Sequence, residues 1–312
     1  MLVIKLIFYV LSFFVIWYCS GIIINAINRF THQLKLSSFA VSFFILGILT
    51  SIPEFSVGIN SIINQTPDVF VGNLLGASLV LFILVIPLLA VLGNGVKMVH
   101  QLSSDNLIFS LLVIAAPVFL IADNVLTRTE SVFLILLYAL LFYFIEKKKG
   151  LLTSTKMTKT TRKYIIEHIL EMILASTVIF ITSRFIVIQT IEFSEFFSVS
   201  PFLVSIIILS VGTNLPELSL AVRSVVSGKK EVALGDYLGS AAANTLLFGI
   251  FTLLNGQRIS IASYSFKTMV MFLLGLGLFY YFSRSKQEIS RREGKILLLV
   301  YLLFIVVEII LQ

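Results

Sequence analysis

The sequence has little charge and almost no cysteine. Only 12% of its 312 residues are charged, about half the fraction of a typical soluble domain. Its single cysteine, Cys19, excludes an intrachain disulfide. By contrast, 58% of the residues are hydrophobic. Apolar runs of about 20 residues recur along the chain, each long enough to cross a bilayer as a helix. The sequence therefore indicates a polytopic membrane protein.

Ten apolar spans can be drawn, and the basic residues between them indicate the orientation. The spans are 3–25, 37–63, 69–92, 106–125, 130–146, 164–188, 199–225, 231–254, 262–282 and 294–311. With the N-terminus outside, 18 of the 23 Lys and Arg residues fall in inner loops. Because short inner loops retain positive charge, we predict a multi-pass protein of the cell membrane with both termini outside. The net charge of +7 then reflects topology, and no nucleic-acid partner is expected.

The chain repeats itself at an offset of 163 residues. The stretch TSIPEFSV, which begins at Thr50, lies over TNLPELSL, which begins at Thr213. With the same offset, GNLLGAS from Gly72 lies over GDYLGSA from Gly235. Two motifs that match at one offset indicate a duplication, with repeat motifs over 47–82 and 210–245.

The duplication defines the predicted fold. The halves are 1–146 and 164–312, and a basic cytoplasmic linker over 147–163 joins them. Because each half holds five spans, the second half must enter the membrane inverted. Inverted repeats are typical of secondary transporters, whose substrate site lies at the midplane between the repeats. The predicted fold class is an all-α polytopic membrane protein with about ten transmembrane helices in two inverted five-helix repeats.

Each repeat motif places a Pro-Glu pair deep in an apolar span. Glu54 and Glu217 both fall in the hydrocarbon region. An unpaired carboxylate there costs several kcal/mol, so such residues normally face a bundle interior or a water-filled cavity. The proline before each glutamate lacks an amide hydrogen, which should free carbonyls near Leu49 and Gly212. We interpret the glutamates as cation ligands, one from each repeat.

Polar residues share a helix face with each glutamate, because positions three, four and seven residues apart are neighbours on a helix. In the next span of the second half, Ser240 and Asn244 are four residues apart, whereas their counterparts are Ala77 and Leu81. The candidate metal-ligating residues are Glu54, Glu217, Thr50, Thr213, Ser51, Ser210, Asn214, Ser240 and Asn244.

These stretches resemble the alpha repeats of the sodium/calcium exchanger family, within the calcium:cation antiporter superfamily. The family pattern is roughly G-T-S-x-P-E in one helix and G-N-x-x-G-S-N-x-x-N/D in the next. This sequence has LTSIPE and GNLLGASLVLF in its first half, and GTNLPE and GDYLGSAAANT in its second. The resemblance is to prokaryotic-type members with divergent ion-site motifs, and it covers nearly the whole chain.

The resemblance implies that the two glutamates are the central ligands for Ca²⁺ and Na⁺. It also implies flanking sodium sites and an alternating-access cycle in which the first and sixth spans slide as a pair. The residues that it assigns to the flanking sites are Thr50, Ser51, Ser210 and Thr213, with Ser240 and Asn244 on the next helix. Ala77, Leu81 and Ala241 depart from the pattern, so we expect a polar ring that is short of oxygens on one side.

The leading hypothesis is a secondary active antiporter that exchanges Ca²⁺ for Na⁺ by alternating access. It would act as a monomeric transport unit in contact with membrane lipid. The alternatives are a cation/H⁺ exchanger that uses the same glutamates and a transport-deficient family member. No nucleophile-base pair, phosphate loop or metal triad accompanies the glutamates, so we expect no enzymatic activity. We expect no cofactor, with Ca²⁺ and Na⁺ bound only as transported ions.

Overall fold

The protein is predominantly helical. The computed structural model describes residues 2–34, 43, 47–98, 104–149, 162–226, 231–232, 234–285 and 288–310. Most of the linker predicted over 147–163 therefore lies outside the described residues. The five short strands among these described residues were not predicted, because two or three residues are too few to leave a pattern in the sequence.

The first half runs from α1 to α7. Its elements are α1 (Leu2–Leu34), α2 (Gly47–Thr50), α3 (Ile52–Ile63), α4 (Pro67–Val80), α5 (Ile86–Leu92), β1 (Val96–Met98), α6 (Ser104–Leu120), β2 (Val125–Leu126) and α7 (Arg128–Lys149). A π-helical turn, Leu81–Val85, joins α4 to α5, and a 3-10 turn, Ile121–Asp123, follows α6.

The second half runs from α8 to α14. Its elements are α8 (Arg162–Phe197), α9 (Pro201–Val204), α10 (Ser210–Thr213), α11 (Leu215–Val226), β3 (Glu231–Val232), α12 (Leu234–Asn255), β4 (Ile259–Ser260), α13 (Phe266–Ser285), β5 (Glu288–Ile289) and α14 (Arg291–Ile310). A π-helical turn, Ser205–Leu209, joins α9 to α10.

Within the described residues, seven helices are long and apolar enough to cross a membrane. Two shorter apolar helices, Ile52–Ile63 and Pro201–Thr213, accompany them. The predicted span 3–25 matches the candidate membrane span Leu2–Ala26, although α1 itself continues to Leu34. The predicted span 164–188 ended too early, since the candidate span in α8 continues to Phe197. Hydropathy marks only the part of a helix inside the hydrocarbon, whereas a helix of this length extends about 50 Å at 1.5 Å per residue.

The ends of equivalent helices show that the offset of 163 holds along the whole chain. α1 and α8 end at Leu34 and Phe197, and α2 and α10 begin at Gly47 and Ser210. α7 and α14 begin with the same capping box: the Thr127 backbone N–H donates to Glu130, and the Ser290 backbone N–H donates to Glu293, both at 2.7 Å. In a capping box, paired side chains satisfy the free N–H groups of a helix start. The sequence thus repeats local helix signals as well as the two motifs.

The strands show that the halves are inverted. Val96 of β1 lies opposite Ile289 of β5, and Leu126 of β2 lies opposite Ile259 of β4, in antiparallel pairs. Val96 corresponds to Ile259 and Leu126 corresponds to Ile289 at the offset of 163. The β1–β5 pair and the β2–β4 pair are therefore equivalent under the repeat. β1 precedes α6 and β2 follows it, so these two strands lie at opposite ends of this helix. β5 is the counterpart of β2 in the second half, yet it pairs with β1. Equivalent ends of the two halves therefore lie on opposite faces of the molecule.

The interior consists of a large apolar core and a smaller one. The large core draws on α4 to α7 and α12 to α14, and its biggest side chains are phenylalanines such as Phe82, Phe248 and Phe279. The smaller core joins α1 to α8, which pack along each other, and includes Tyr9 and Ile179. The broken helices α2–α3 and α10–α11 lie between these cores, so the polar residues at the breaks are enclosed on both sides.

Close helix packing at Gly239 gives a test of the fold. A Cβ atom at Gly239 in α12 would overlap the backbone carbonyl of Phe43. We expect Gly239→Ala to destabilise the protein by about 1–3 kcal/mol, because a backbone atom cannot move aside cheaply. Gly277→Ala in α13 is the control, since nothing lies within 4 Å of a Cβ at that position. Thermal unfolding in detergent measures both, and equal midpoints for the two variants would contradict the packing described.

Candidate cation site

Two helices break at equivalent positions. α2 ends and α3 begins around Ser51, whose backbone has φ −80° and ψ 11°. α10 ends and α11 begins around Asn214, with φ −89° and ψ 9°. The proline of each motif then occupies the second position of the new helix, where its missing N–H leaves no helical hydrogen bond unmade. The predicted helix breaks are therefore confirmed in both halves.

Side chains at each break fold back onto the preceding turn. The hydroxyls of Thr50 and Ser51 donate to the Gly47 carbonyl at 3.3 and 2.8 Å. In the second half, the Thr213 hydroxyl and the Asn214 amide donate to the Ser210 carbonyl at 3.3 and 2.8 Å. Gly47 and Ser210 are counterparts at the offset of 163, so equivalent backbone carbonyls each accept hydrogen bonds from two side chains. This leaves the oxygens of Thr50, Ser51 and Thr213 with lone pairs to offer a cation.

The two glutamates lie just after the breaks, and both are buried. The exposed fraction is 2% for Glu54 and 1% for Glu217. The Thr213 hydroxyl of the second half lies beside the Glu54 carboxylate of the first. Within the described residues, Glu54 Oε2 accepts no hydrogen bond. A buried carboxylate oxygen without a donor requires either a cation or a proton.

The neighbouring helices α4 and α12 complete the site with contacts between the halves. The Thr213 hydroxyl lies 3.3 Å from Asn73 Oδ1, which can accept its single hydrogen in place of the Ser210 carbonyl. The Ser51 and Ser240 hydroxyls lie 3.5 Å apart, and Asn244 Nδ2 donates to the Ser78 hydroxyl at 3.3 Å. Each of these pairs joins a residue of one half to a residue of the other. The breaks and the two helices beside them therefore converge on one polar centre.

Asn73 and Ser78 were missed by the sequence analysis. Asn73 is fully buried and its Nδ2 has no hydrogen-bond acceptor within the described residues. These side chains bring two further oxygens of the first half to the polar centre, and the expected shortage of oxygens stays a prediction. Ala77 and Leu81 of the same helix are apolar and buried, as expected. The available signal was polarity itself, since both residues interrupt an apolar run.

Glycines bring these helices into contact. A Cβ at Gly76 in α4 would lie 2.6 Å from the Ser210 Cβ. A Cβ at Gly47 in α2 would lie 2.7 Å from the backbone nitrogen of Ser240. Real Cβ atoms are not found so close to other heavy atoms, so only glycine permits this approach. The hydroxyls of Ser210 and Ser240 are thereby held close to the helix breaks.

The donor set suits a hard cation. Among the described residues, no group of three or more His, Cys, Asp or Glu side chains could hold a metal ion. The oxygens brought together here are the Glu54 carboxylate and neutral hydroxyl, amide and carbonyl groups, and Glu217 supplies a second buried carboxylate at the equivalent break. Ca²⁺ accepts six to eight such oxygens, and two carboxylates balance one divalent charge. Na⁺ and protons can use the same carboxylates, so the donor set defines a cation site without selecting the ion.

Inverted halves that each bury one carboxylate at a helix break define a membrane cation antiporter. The family model described as sodium/calcium exchanger protein matches residues 4–146 and 168–310. The chain belongs to this family. Among its relatives, the putative antiporter CaxA of Alkalimonas amylolytica is 25% identical over 92% of both chains. The sodium/calcium exchanger MaX1 of Methanosarcina acetivorans is 24% identical over 92% of this chain and 93% of its own.

A solved structure has the same fold. The sodium-calcium exchanger NCX_Mj, soaked with Na⁺ and Sr²⁺, superposes with a TM-score of 0.69 at 19% identity. The match covers 98% of this chain and 99% of that one. The full coverage supports a common arrangement of helices from one end of the chain to the other.

Asn73 provides a test of the site. We expect Asn73→Leu to weaken Ca²⁺ binding about tenfold or more, because it removes an oxygen from the polar centre and one of the two acceptors within reach of the Thr213 hydroxyl. Ser110→Ala is the matched control. Ser110 is equally buried but donates to Asn106 within α6, away from the breaks. Isothermal titration of the purified protein measures both. An affinity unchanged by Asn73→Leu would remove Asn73 from the site.

Proposed function

We propose that the protein is a secondary active antiporter that exchanges Ca²⁺ for Na⁺ across the membrane. The observation that carries this proposal is the burial of Glu54 and Glu217 at equivalent helix breaks of two inverted halves. Family membership favours transport over catalysis, and the relative MaX1 is named a sodium/calcium exchanger. The proposed ligands are the nine residues predicted from the sequence, together with Asn73 and Ser78.

The proposed topology has ten crossings and both termini outside. The seven long apolar helices, the two broken ones and α14 supply the crossings. The halves would be residues 1–146 and 164–312, with 147–163 as a cytoplasmic linker. β1, β3 and β5 then lie at the inner face, and β2 and β4 lie at the outer face. Membrane lipid surrounds a monomeric transport unit.

Electrostatic competition at the glutamates would couple the two ions. An empty site holds two buried negative charges, whose desolvation penalises movement between inward-facing and outward-facing states. One Ca²⁺ or a set of Na⁺ ions neutralises the pair, and only the neutralised site changes state. Exchange follows if the two states differ in their affinity for each ion. An inward Na⁺ gradient would then drive Ca²⁺ export.

Cation/H⁺ exchange is the second candidate. The Glu54 Oε2 atom, which has no hydrogen-bond donor among the described residues, can take a proton instead of a sodium ion. Two protons neutralise the two carboxylates as two Na⁺ ions would. Ala77 and Leu81 leave α4 with fewer oxygens for flanking Na⁺ sites than the family pattern has. If these losses also abolished Ca²⁺ binding, the chain would be a transport-deficient member.

Uptake of ⁴⁵Ca²⁺ into proteoliposomes tests the proposal. We expect uptake by vesicles loaded with Na⁺ and none by vesicles loaded with K⁺. Glu54→Gln and Glu217→Gln should each reduce uptake at least about 100-fold, because an unbalanced charge remains on bound Ca²⁺. Glu195→Gln, a substitution at an exposed glutamate near the end of α8, should keep full uptake.

The alternatives give different results in the same assay. Uptake driven by a pH step in K⁺-loaded vesicles, with no effect of Na⁺, would establish cation/H⁺ exchange. Absence of uptake under every gradient, from protein that still unfolds cooperatively, would establish a transport-deficient member. Full activity in either glutamine variant would contradict a site built from both halves.

A further inference from the structure

We propose that Glu308 is the centre of a second cation site, which binds one monovalent metal cation where the last turn of α14 meets the start of α13. The site shares no residue with the polar centre around Glu54 and Glu217. It therefore does not depend on the proposed exchange of Ca²⁺ for Na⁺, and it can be tested in protein that transports nothing.

Glu308 is a buried carboxylate without a partner for its charge. It lies in the last turn of α14, and its exposed fraction is 6%. Among the described residues, no hydrogen-bond donor reaches its Oε1 atom. The salt bridge found in the same part of the chain joins Lys5 to Glu192, on other helices. An ionised group inside a membrane bundle is costly when nothing balances it. A bound cation or a proton must therefore neutralise Glu308.

Neutral oxygens lie around this carboxylate. The Thr268 side chain, in the first turn of α13, lies beside it. The Ser265 hydroxyl is 3.1 Å from the Thr268 hydroxyl. Tyr264 is close enough for the charge on Glu308 to act on its phenol, and its hydroxyl donates to the Val118 carbonyl at 2.7 Å. Because this hydrogen is committed to Val118, the phenolic oxygen offers only lone pairs.

The oxygens favour a metal cation over a proton. A proton occupies one carboxylate oxygen and makes no use of the lone pairs of Tyr264, Ser265 and Thr268. A metal cation draws on several oxygens at once, and hard cations take carboxylate and neutral oxygen ligands together. Thr268 and Tyr264 are themselves buried, with exposed fractions of 1% and 3%, so their oxygens have little water to turn to.

The charge of the surroundings selects a monovalent ion. The elements packed against α14 are α13, α5 and the π-helical turn Leu81–Val85. α5 and this turn carry no ionisable residue. On α13, the Lys267 side chain is exposed, and the remaining ionisable residues lie at the other end, over 280–284. One carboxylate balances one positive charge. A divalent ion would leave an excess charge in apolar surroundings, which is again costly.

The repeat shows that the fold does not require a carboxylate at this position. The counterpart of Glu308 at the offset of 163 is Ile145 of α7, which is fully buried. An apolar side chain therefore meets the packing demands of the equivalent helix end. The counterpart of Thr268 is Asp105, whose side chain is exposed. The buried pair of a carboxylate and a hydroxyl is thus a feature of the second half that packing alone does not explain.

The second site lies toward the face of β2 and β4. Tyr264 follows β4 by four residues. The Ile261 N–H, directly after β4, donates to the Asn124 carbonyl, directly before β2, at 2.9 Å. α13 begins at this face and α14 ends there, since the two helices are joined through β5 at the opposite face. In the proposed topology this is the outer face, so the site takes its cation from outside the cell.

Thermal unfolding in detergent tests the site without transport. The parent is the double variant Glu54→Gln, Glu217→Gln, which lacks the carboxylates of the first site. We expect NaCl or KCl to raise its unfolding midpoint by about 2 °C or more relative to choline chloride at equal ionic strength, because a ligand that binds only the folded state stabilises it. Adding Glu308→Gln should abolish this rise. Adding Glu195→Gln, at an exposed glutamate, should leave it unchanged.

A hydroxyl variant tests the same site more gently. We expect Thr268→Val in the same parent to raise the half-saturating concentration of the cation about fivefold, the effect of losing one polar contact. Thr252→Val is the matched control. Thr252 is equally buried, but its hydroxyl donates to the Phe248 carbonyl within α12. Its half-saturating concentration should stay within about twofold of the parent value.

Three outcomes would overturn the proposal. One is a midpoint that Na⁺ and K⁺ raise equally with and without Glu308. Another is a midpoint that neither ion raises but that Glu308 makes dependent on pH, which would identify a protonated acid without a metal ion. The third is an equal shift in Thr268→Val and Thr252→Val. If Glu308→Gln does not fold, Glu308→Ile takes its place, since Ile145 shows that the position accepts this side chain.

The two proposals fail separately. Failed ⁴⁵Ca²⁺ uptake by wild type, with the expected midpoints in the double variant, would reject the proposed ion exchange and leave the second site in place. Normal uptake with midpoints that do not respond to Na⁺ or K⁺ would reject the second site alone.

Discussion

Burial of two carboxylates inside an apolar helical bundle is the constraint on which the rest of the structure depends. Glu54 and Glu217 are almost wholly inaccessible, and charges in such surroundings are costly unless balanced. The helix breaks, the small residues at the helix crossings and the hydroxyls of Thr50 and Thr213 all bring neutral oxygens to these carboxylates. Family membership and the sodium-calcium exchanger fold are consistent with this cost being offset by a bound cation.

Duplication explains how one site comes to have two approaches. Each half supplies a broken helix with a carboxylate, and inversion directs the two broken helices toward opposite faces. Perfect symmetry would make the two halves identical, but the side chains differ: Asn60 of α3 donates to Ser183 of α8 at 2.8 Å, whereas its counterpart at the offset of 163 is Arg223.

Much of this arrangement follows from the sequence, because membrane burial leaves strong signals. Apolar runs, the offset of 163 and the Pro-Glu pairs predict helices, repeats and breaks that the structure confirms. Asn73 and Ser78 were not predicted as site residues, since a single polar residue in a helix does not indicate which neighbour it faces. The short strands and the Asn60–Ser183 contact were also beyond prediction. They depend on how distant segments meet, and pairs 120 or more residues apart leave no local pattern.

The central claim is that the glutamates of the two halves form one site. Calcium titration of purified wild type, Glu54→Gln, Glu217→Gln and the double variant tests this most directly. One shared site predicts one Ca²⁺ per chain, with each single variant weakening affinity about 100-fold. It also predicts that the double variant is weakened by less than the product of the single effects, because residues of one site are not independent. Two Ca²⁺ per chain, with each variant losing one and leaving the other unaffected, would contradict a shared site.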